Sequence, residues 1–505
     1  DVDNEAGVII IKEVNNVMIA NLTLKGGYAE GHGCSGGGGL LIAANDMFNL
    51  DTDNGNNVAP SYPVIDNVII EENHSHNGGG LGLFRVNGPV LNDVIIRNNT
   101  ATAFGGGVFS YVSTVTMTNV TITQNENLAD GQGGGIMLAA SQGTFDNMTI
   151  TDNTGCCHGG GMWTNNSGGE GNFSSGWTMS NSTISGNECS WFGGGINFSW
   201  SHPILINCTI SNNTGIWGGG GIDGLESGFT LKESIVSGNY SYGSGGGILA
   251  WGEGADPIIE DCIIIDNETS SNGGGIMINA VDEATIRRTS IIDNHADNYA
   301  GGLYVLVNDL NIENITASGN TSNAGGVLAV NESASITLTN SIVWNNDVQN
   351  DILTPDETGS FDINYSNIEN GFEGVGNIDT DPFFTDPSNN DYTLSTDSPC
   401  IDAGTADTDN DGNEDITDYS GIAPDMGAFE TTIAAPAGFN AYLMDDHVIL
   451  TWEAPSDQDV QYYHLERSTD IDFMENIESN YLTLLYYEDH SLEYDTEFFY
   501  RLSYY

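Results

Sequence analysis

The chain has 505 residues, enough for several globular domains or for one long repeat structure with an appended module. Its 70 acidic and 9 basic residues give a formal charge of −61. Nucleic acids and anionic membranes require a basic surface, so this composition excludes them as partners and favours cations. No run of 18 or more apolar residues is present, and the sequence therefore predicts no membrane-spanning helix.

The chain begins with DVDNEAG, which lacks the basic and apolar regions of a signal peptide. It then leads directly into strand-like sequence. We therefore expect a processed or truncated N-terminus.

From residue 73 onward an asparagine recurs at nearly constant spacing. It occupies positions 73, 99, 125, 153, 187, 213, 239, 267, 294, 320 and 346. A Gly-rich step follows each of the first ten, beginning at positions 78, 105, 133, 159, 193, 218, 245, 273, 301 and 325. An earlier unit is visible around Asn21 and Gly36. Such a period predicts stacked, structurally equivalent units.

Each unit reads as three short strands. Residues 120–125 (VTITQN) alternate apolar and polar before the Asn, residues 136–138 (IML) follow a Gly step, and residues 336–340 (ITLTN) represent the third strand. Three strands and three bends in about 26 residues make one coil of a β-solenoid. We predict an all-β chain whose residues 1–350 form a parallel β-helix of about 12 coils.

The Asn and Gly marks have a physical cause. A sharp bend between strands requires a residue with positive φ, which Asn and Gly tolerate best. Stacked Asn side chains can also hydrogen-bond along the stack, and a Gly triplet lets neighbouring backbones approach where a Cβ would collide. Phosphate cradles are disfavoured, because no Lys or helix start follows the triplets.

Cysteines cluster just before the Gly steps, where four of the seven lie: Cys34, Cys156, Cys157 and Cys189. Two interpretations stay open. They are either small buried residues, or Cys189 forms a disulfide staple with Cys156 or Cys157 of the adjacent coil.

These marks resemble the pectate-lyase-type right-handed parallel β-helix repeats of bacterial surface proteins over roughly residues 5–350. The GGG(I/L) and Asn pattern also resembles the short repeats of polymorphic outer-membrane adhesins. The resemblance implies a right-handed, single-stranded β-helix and an extracellular location. It implies little about activity, because a repeat specifies a fold far better than a reaction.

In the strand after each Gly step, alternate residues are expected to point outwards. These positions carry Phe84, Phe109, Tyr111, Met137, Trp163, Leu249, Trp251, Met277, Tyr304 and Leu328, and the segment before the step adds Phe104, Phe192, Trp217 and Tyr242. An exposed apolar stripe marks a contact surface, and aromatic rings stack on sugars or on protein partners. We expect ligand binding by Phe109, Trp163, Trp251, Tyr304 and Trp217. The opposite strand parity would place half of the stripe in the core.

Catalysis has weaker support in the sequence, and no catalytic residue is predicted. Arg287–Arg288 near Asp293 is a candidate for a lyase, although a local ion pair explains it more simply. Asp266 and Asp293 stand one coil apart, which suits a carboxylate pair or a second cation site equally. A third alternative is an ice-binding face built from outward T-x-T units such as residues 121–123 and 149–151.

Residues 351–433 differ in character from the repeats. The order of the motifs NSIVWNN, NIDTDPFFTD, SPCIDAG and DMGAFE between residues 340 and 430 resembles the choice-of-anchor Q segment of secreted bacterial proteins. This resemblance implies surface display. We predict that the segment caps the solenoid, whose last coil would otherwise expose unpaired strand edges.

A calcium loop is predicted within this acidic segment. Counted from Asp407, oxygen-bearing residues occupy positions 1, 3, 5, 7, 9 and 12 of the loop, with Gly412 at position 6. The expected ligands are Asp407, Asp409, Asp411, Asn413, Asp415 and Asp418. Glu414 and Asp418 depart from the EF-hand pattern and no flanking helices are evident, so we expect an extracellular loop site. The alternative is a solvated acidic loop.

Residues 434–505 resemble a fibronectin type III domain, which implies a small antiparallel β-sandwich. Trp452, the Tyr462–Tyr463 pair and the aromatic strand FFYRLSYY carry this resemblance. The stretch stops where the last strand should begin, so we expect the chain to continue beyond Tyr505.

We expect a non-catalytic, secreted or bacterial cell-surface protein. Its solenoid face would bind extracellular polysaccharide or other surface proteins, including copies of itself. The alternative is a calcium-dependent polysaccharide lyase or glycoside hydrolase.

Overall fold

The computed structural model describes most of the chain in two units. Described residues are 8–12, 16–29, 36–43, 59–60, 62–128, 131–165, 176–252, 254–279, 284–306, 309–331, 334–346, 351–353, 359–409, 411–431, 438–444, 447–454, 463–469, 478–491 and 496–504. The units are Asp1–Asp379 and Thr380–Tyr505.

In the described residues of the first unit, the strands form three parallel sheets, named I, II and III here. Sheet I has 13 strands: Ile9–Lys12, Leu40–Ala43, Leu81–Phe84, Val108–Tyr111, Ile136–Ala139, Met162–Asn165, Ile196–Ser199, Ile222–Leu225, Ile248–Trp251, Ile276–Asn279, Leu303–Leu306, Leu328–Asn331 and Ile352–Leu353. Sheet III has 11 strands: Tyr28–Ala29, His74–Asn77, Thr100–Phe104, Glu126–Asn127, Thr154–Gly155, Glu188–Cys189, Thr214–Gly215, Tyr240–Ser241, Glu268–Thr269, His295–Ala296 and Thr321–Ser322.

Sheet II is longer because most coils contribute two strands separated by a bend. Its 23 strands are Met18–Lys25, Ala59–Pro60, Val64–Glu71, Val86–Asn92, Ile95–Arg97, Thr114–Thr118, Thr121–Thr123, Gln142–Asp146, Thr149–Thr151, Thr178–Ser180, Thr183–Ser185, Ile204–Ile206, Thr209–Ser211, Thr230–Lys232, Ile235–Ser237, Ile258–Glu260, Ile263–Ile265, Thr285–Ile292, Asp309–Ser318, Ser335–Thr339, Ile342–Trp344, Ser360–Asn364 and Asn367–Ile368. Each coil runs from sheet I through II to III, and the next Gly step returns the chain to sheet I.

The recurring asparagines form one continuous buried ladder. Asn187 donates its Nδ2–H to Oδ1 of Asn213 at 3.0 Å and to the carbonyl of Ile150 at 2.9 Å, and its own Oδ1 accepts from Asn153 at 3.0 Å. Equivalent side-chain bonds link all eleven asparagines from Asn73 to Asn346. The side-chain amides therefore hydrogen-bond to backbone groups of the bends that are buried away from water. The predicted stacking of the asparagines is confirmed.

One detail of the bend was predicted wrongly. The left-handed conformation falls on the residue before the ladder asparagine, for example Asn212 at φ 54° and Asp266 at φ 55°, and not on Asn213 or Asn267 themselves. The ladder residue turns its side chain inward to hydrogen-bond, so the preceding, outward residue absorbs the sharp turn.

The glycines of each Gly triplet have different structural roles. Gly193 takes φ +68°, whereas a Cβ on Gly194 would lie 2.4 Å from the Thr214 carbonyl carbon of the next coil. A Cβ on Gly195 would lie 2.6 Å from the Gly221 carbonyl oxygen. The coils therefore stack at this bend only because side chains are absent.

The core of the first unit is a continuous apolar column. Alternate residues of sheet I, such as Ile136 and Leu138, meet residues of sheet II, such as Ile122 and Ile150, and all are fully or almost fully buried. Strands Ser360–Asn364 and Asn367–Ile368 continue sheet II, and Ile352–Leu353 continues sheet I. The parallel ladder therefore extends beyond residue 350, into the segment predicted as a cap.

The second unit is small and antiparallel. Phe384–Asp386 pairs with Asp391–Leu394 around a 3-10 helix at Pro387–Asn389. Two three-stranded sheets follow, made of Asn440–Leu443, Val448–Thr451 and Tyr486–Asp489, and of Glu478–Leu482, Tyr463–Ser468 and Phe499–Tyr504. Leu450, Trp452, Tyr463, Leu465 and Leu502 form their shared core.

The predicted fold class, an all-β chain with a parallel β-helix and small antiparallel sheets behind it, is confirmed. The predicted domain boundaries, the anchor-type segment and the fibronectin-like domain stay predictions. In the described part of the chain, no helix is long and apolar enough to cross a membrane.

Candidate functional site

The outward side of sheet I carries one aligned residue from each coil, here called the outer row. Strand register places these residues side by side: Leu41, Gly82, Phe109, Met137, Trp163, Asn197, Asp223, Leu249, Met277, Tyr304 and Ala329. Their apolar members form two clusters separate from the column inside the helix. The outer row is therefore a second, external packing layer.

Polar residues interrupt this layer between the two clusters. Asn197 donates its Nδ2–H to Oδ1 of Asp223 at 2.9 Å, and Ser199 donates its hydroxyl to Oδ1 of Asn197 at 3.2 Å. Trp251 donates its indole N–H to Oδ1 of Asp223 at 3.1 Å, and Trp163 donates to the Ser199 hydroxyl at 3.5 Å. The network thus connects two tryptophans across four coils.

Asp223 is the least satisfied member of the network. Its side chain is fully buried, and its Oδ2 has no hydrogen-bond partner. Burial raises the pKa of Asp223 to about 7, although the hydrogen bonds from Trp251 and Asn197 oppose the shift. The carboxyl group therefore changes charge near neutral pH.

The bend before sheet I packs over the outer row. The His158 ring stacks between Trp163 and Phe192, with centroid distances of 5.5 Å and 5.6 Å. Trp251 reaches across the face to lie 5.8 Å from the Phe192 ring. The half-buried indole of Trp251 therefore covers Asp223.

Beside this bend, aromatic rings face the solvent in consecutive coils. We call Trp191, Ile216, Trp217 and Tyr242 the aromatic patch; all four are exposed, and Trp217 most so at 65%. Trp217 donates its backbone N–H to the Trp191 carbonyl at 2.7 Å, which holds their two coils in register. The patch offers flat apolar surface next to the Trp251 cover.

The predicted ligand-binding residues differ in how much of their surface is exposed to solvent. Phe109, Trp163 and Tyr304 point away from the core as predicted, but only 6%, 5% and 3% of their surfaces are exposed. The expected exposure was wrong for these three, because the bend segments and neighbouring rings cover them. Trp251 is half-buried and Trp217 is exposed. Leu328, also expected outside, lies in the inner core.

Sequence reasoning missed Asn197, Asp223 and Trp191. A usable signal existed at Asp223. In GGGGIDG an Asp occupies the second strand position, where most other units carry an apolar residue. An ionisable residue at a position that is otherwise apolar indicates a specific role.

The predicted calcium ligands converge in part. Asp407, Asp409 and Asp415 each place a carboxylate oxygen within 4.8 Å of the others. Asp411 and Asp418 are not members of this group, and Asn413 donates its side-chain amide to Asp411 at 2.8 Å. The clustered oxygens are the donors that a hard cation prefers, so these three residues fit calcium.

Arg287 and Arg288 form local ion pairs, which was the simpler interpretation of the sequence. Arg288 contacts Glu260 at 2.5 Å and Asp261 at 2.7 Å, while Lys232 lies 2.5 Å from Glu260. Arg287 also pairs with Glu260. Ion pairs between neighbouring strands of sheet II therefore account for the presence of these basic residues.

The remaining acidic and thiol candidates show no reactive arrangement. Burial, followed by the charge of Asp266, raises the pKa of Asp293. In the described chain no disulfide links Cys189 to Cys156 or Cys157, and burial raises the pKa of the Cys189 thiol to about 12. Cys34 lies outside the described residues.

Comparison with known proteins gives a family match. A family model described as a right-handed β-helix region matches residues 65–217, 107–259 and 170–343, which together exceed half of the chain. No curated protein gives a significant match. Among solved structures, the chain is similar to that titled "Crystal structure of pectate lyase Pel9A". The two share 14% identity with a TM-score of 0.33, over 83% of this chain and 89% of that one.

Proposed function

The chain belongs to the right-handed β-helix family, and from this premise we propose a non-catalytic protein that binds a neutral extracellular polysaccharide. The binding surface is the aromatic patch together with Trp251. The protein is secreted or displayed on a cell surface, a location supported by the resemblance of residues 340–430 to anchor-bearing secreted proteins.

One observation carries the proposal. Trp191, Trp217 and Tyr242 expose their rings from three consecutive coils. Parallel strands repeat at about 4.8 Å, so the rings present a continuous apolar strip along the helix axis. Sugar rings have apolar faces that stack on aromatic side chains, and an exposed strip of this kind indicates a contact surface.

Charge narrows the ligand class. The chain carries a formal charge of −61, and no Lys or Arg belongs to the aromatic patch. A polyanionic glycan would be repelled unless cations bridged it. A neutral glycan meets no such barrier.

Calcium is proposed as a structural ion at Asp407, Asp409 and Asp415. Residues 351–430 contain twenty acidic residues and no Lys or Arg, so bound cations would relieve the local repulsion. The ion would hold the acidic loop and takes no part in glycan contact.

Calorimetric titration with cellohexaose, xylohexaose, laminarihexaose and polygalacturonate tests the function. We expect a neutral glycan to bind, and Trp217→Ala to weaken it at least tenfold, because an exposed ring is lost without disturbing the core. Trp200→Ala is the matched control, since Trp200 is exposed but lies at the bend after sheet I. Retained affinity in Trp217→Ala, or equal loss in both variants, would contradict the proposal.

The enzymatic alternative has one specific support. A carboxyl group with a pKa of about 7, as at Asp223, suits proton transfer at neutral pH. Incubating the protein with the same glycans distinguishes glycan binding from glycan cleavage. Release of unsaturated or reducing ends by the native protein, and not by Asp223→Asn, would replace the binding proposal with a lyase or hydrolase.

A further inference from the structure

Asp223 is exceptional in the outer row. Hydrophobic residues fill this position on both sides of the Asn197–Asp223 pair, and their clusters end there. Asp223 is fully buried with one oxygen unpartnered, an arrangement that costs stability. A buried polar atom without a protein partner calls for a specific explanation, and a hydrogen bond to a ligand is one.

Gly218 makes room for the unpartnered oxygen. A Cβ at Gly218 would lie 2.7 Å from Oδ2 of Asp223 and 2.6 Å from the Leu249 side chain. Phe192 and Ser244, the bridged neighbours of Gly218 in adjacent coils, both carry side chains. The carboxyl group therefore lies against bare backbone, one residue from the exposed ring of Trp217.

One side chain that packs against Asp223, that of Trp251, also reaches solvent. Trp251 is half-buried, and its hydrogen bond goes to Oδ1 rather than Oδ2. Asn197 also donates to Oδ1 and would keep the carboxyl oriented if the indole moved aside. Displacement of Trp251 would therefore remove one contact of the carboxyl group and leave its hydrogen bond from Asn197 in place.

We propose that Asp223 is the hydroxyl-recognition residue of the glycan site: the Trp251 indole swings outward, and a sugar hydroxyl donates to Oδ2 of Asp223. The inference rests on the proposed function and adds the polar contact that fixes the ligand. Hydroxyl-rich, uncharged sugars fit, because a carboxylate accepts hydroxyl hydrogens and repels anionic groups. The neighbouring Trp217 ring supplies the stacking surface.

Calorimetric titration of the same three neutral hexaoses into the Asp223 variants tests this assignment. We expect Asp223→Asn and Asp223→Leu to weaken binding at least tenfold. A single cooperative thermal unfolding transition for each variant will show that it is folded. Asp297→Asn, which alters an exposed carboxylate in a different bend, should bind like the native protein.

The outcomes separate the two claims. If both Asp223 variants bind as tightly as the native protein while Trp217→Ala loses affinity, the hydroxyl-recognition role is wrong and the glycan-binding function stands. If the native protein binds none of the three sugars, both are overturned. Selective loss in the Asp223 variants, with Asp297→Asn unchanged, supports the assignment.

Discussion

The indole N–H of Trp251 donates a 3.1 Å hydrogen bond to Oδ1 of Asp223, although 28 residues separate them. One coil of the β-helix spans about that distance in sequence, so the contact joins neighbouring turns. It couples an aromatic residue that pattern analysis singled out to a carboxyl group that it overlooked.

Asp223 should make stability depend on pH. Burial raises its folded-state pKa to about 7, against about 3.9 when unfolded, so the folded form binds the proton more tightly. The contribution of Asp223 to the unfolding free energy is therefore greatest below pH 4 and falls as pH rises to about 7. The difference between the two pKa values corresponds to at most roughly 4 kcal/mol of unfolding free energy.

Thermal melting of native protein and Asp223→Asn at pH 5 and pH 8 measures this linkage. Comparing the variant with the native chain cancels the titration of the other acidic groups. The variant should gain stability relative to native at pH 8. An identical difference at both pH values would rule out the assigned titration.

The asparagine ladder should be a major source of stability. Asn187→Ala would leave the Asn153 amide and the Ile150 carbonyl without their buried partner, at a cost of roughly 3 kcal/mol. Asn323→Ala is the control, since Asn323 is exposed and its side-chain amide donates to the exposed Asp297. Equal melting temperatures for the two variants would contradict a structural ladder.

Close stacking at the Gly steps predicts a steric effect. An added Cβ at Gly194 would lie 2.5 Å from the Gly220 carbonyl oxygen, so Gly194→Ala should destabilise the helix by about 2 kcal/mol or more. At Gly176 the nearest atom is the His202 carbonyl oxygen at 3.7 Å. Gly176→Ala should therefore leave the melting temperature almost unchanged, and denaturation of both variants checks the contrast.

Calcium binding should depend on the clustered carboxylates of the acidic loop and not on those outside the cluster. Asp415→Asn removes a member of the carboxylate cluster, whereas Asp418→Asn alters a predicted ligand outside it. Calorimetric titration with calcium should show at least tenfold weaker binding for the first variant and near-native binding for the second. Absence of calcium binding by the native protein would exclude the site.

The repeat and its recurring Asn and Gly residues could be predicted from the sequence because each of these residues meets a local structural requirement. Asn187 must satisfy buried backbone, and Gly194 must admit the next coil. Strand alternation likewise predicted that Phe109 and Trp163 point away from the core. It failed at Leu328, where a shift of one residue along the strand reverses the side.

Sequence alone therefore determined the coil, its period and the inner face of most strands, since these depend on backbone geometry and on alternation within a few residues. Only the tertiary structure decided which outward side chains reach solvent. Trp163 is covered while Trp217 is bare, and Asp223 lies beneath Trp251. Exposure and the grouping of charges depend on how bends of adjacent coils overlap, and that overlap exists only once the turns are stacked.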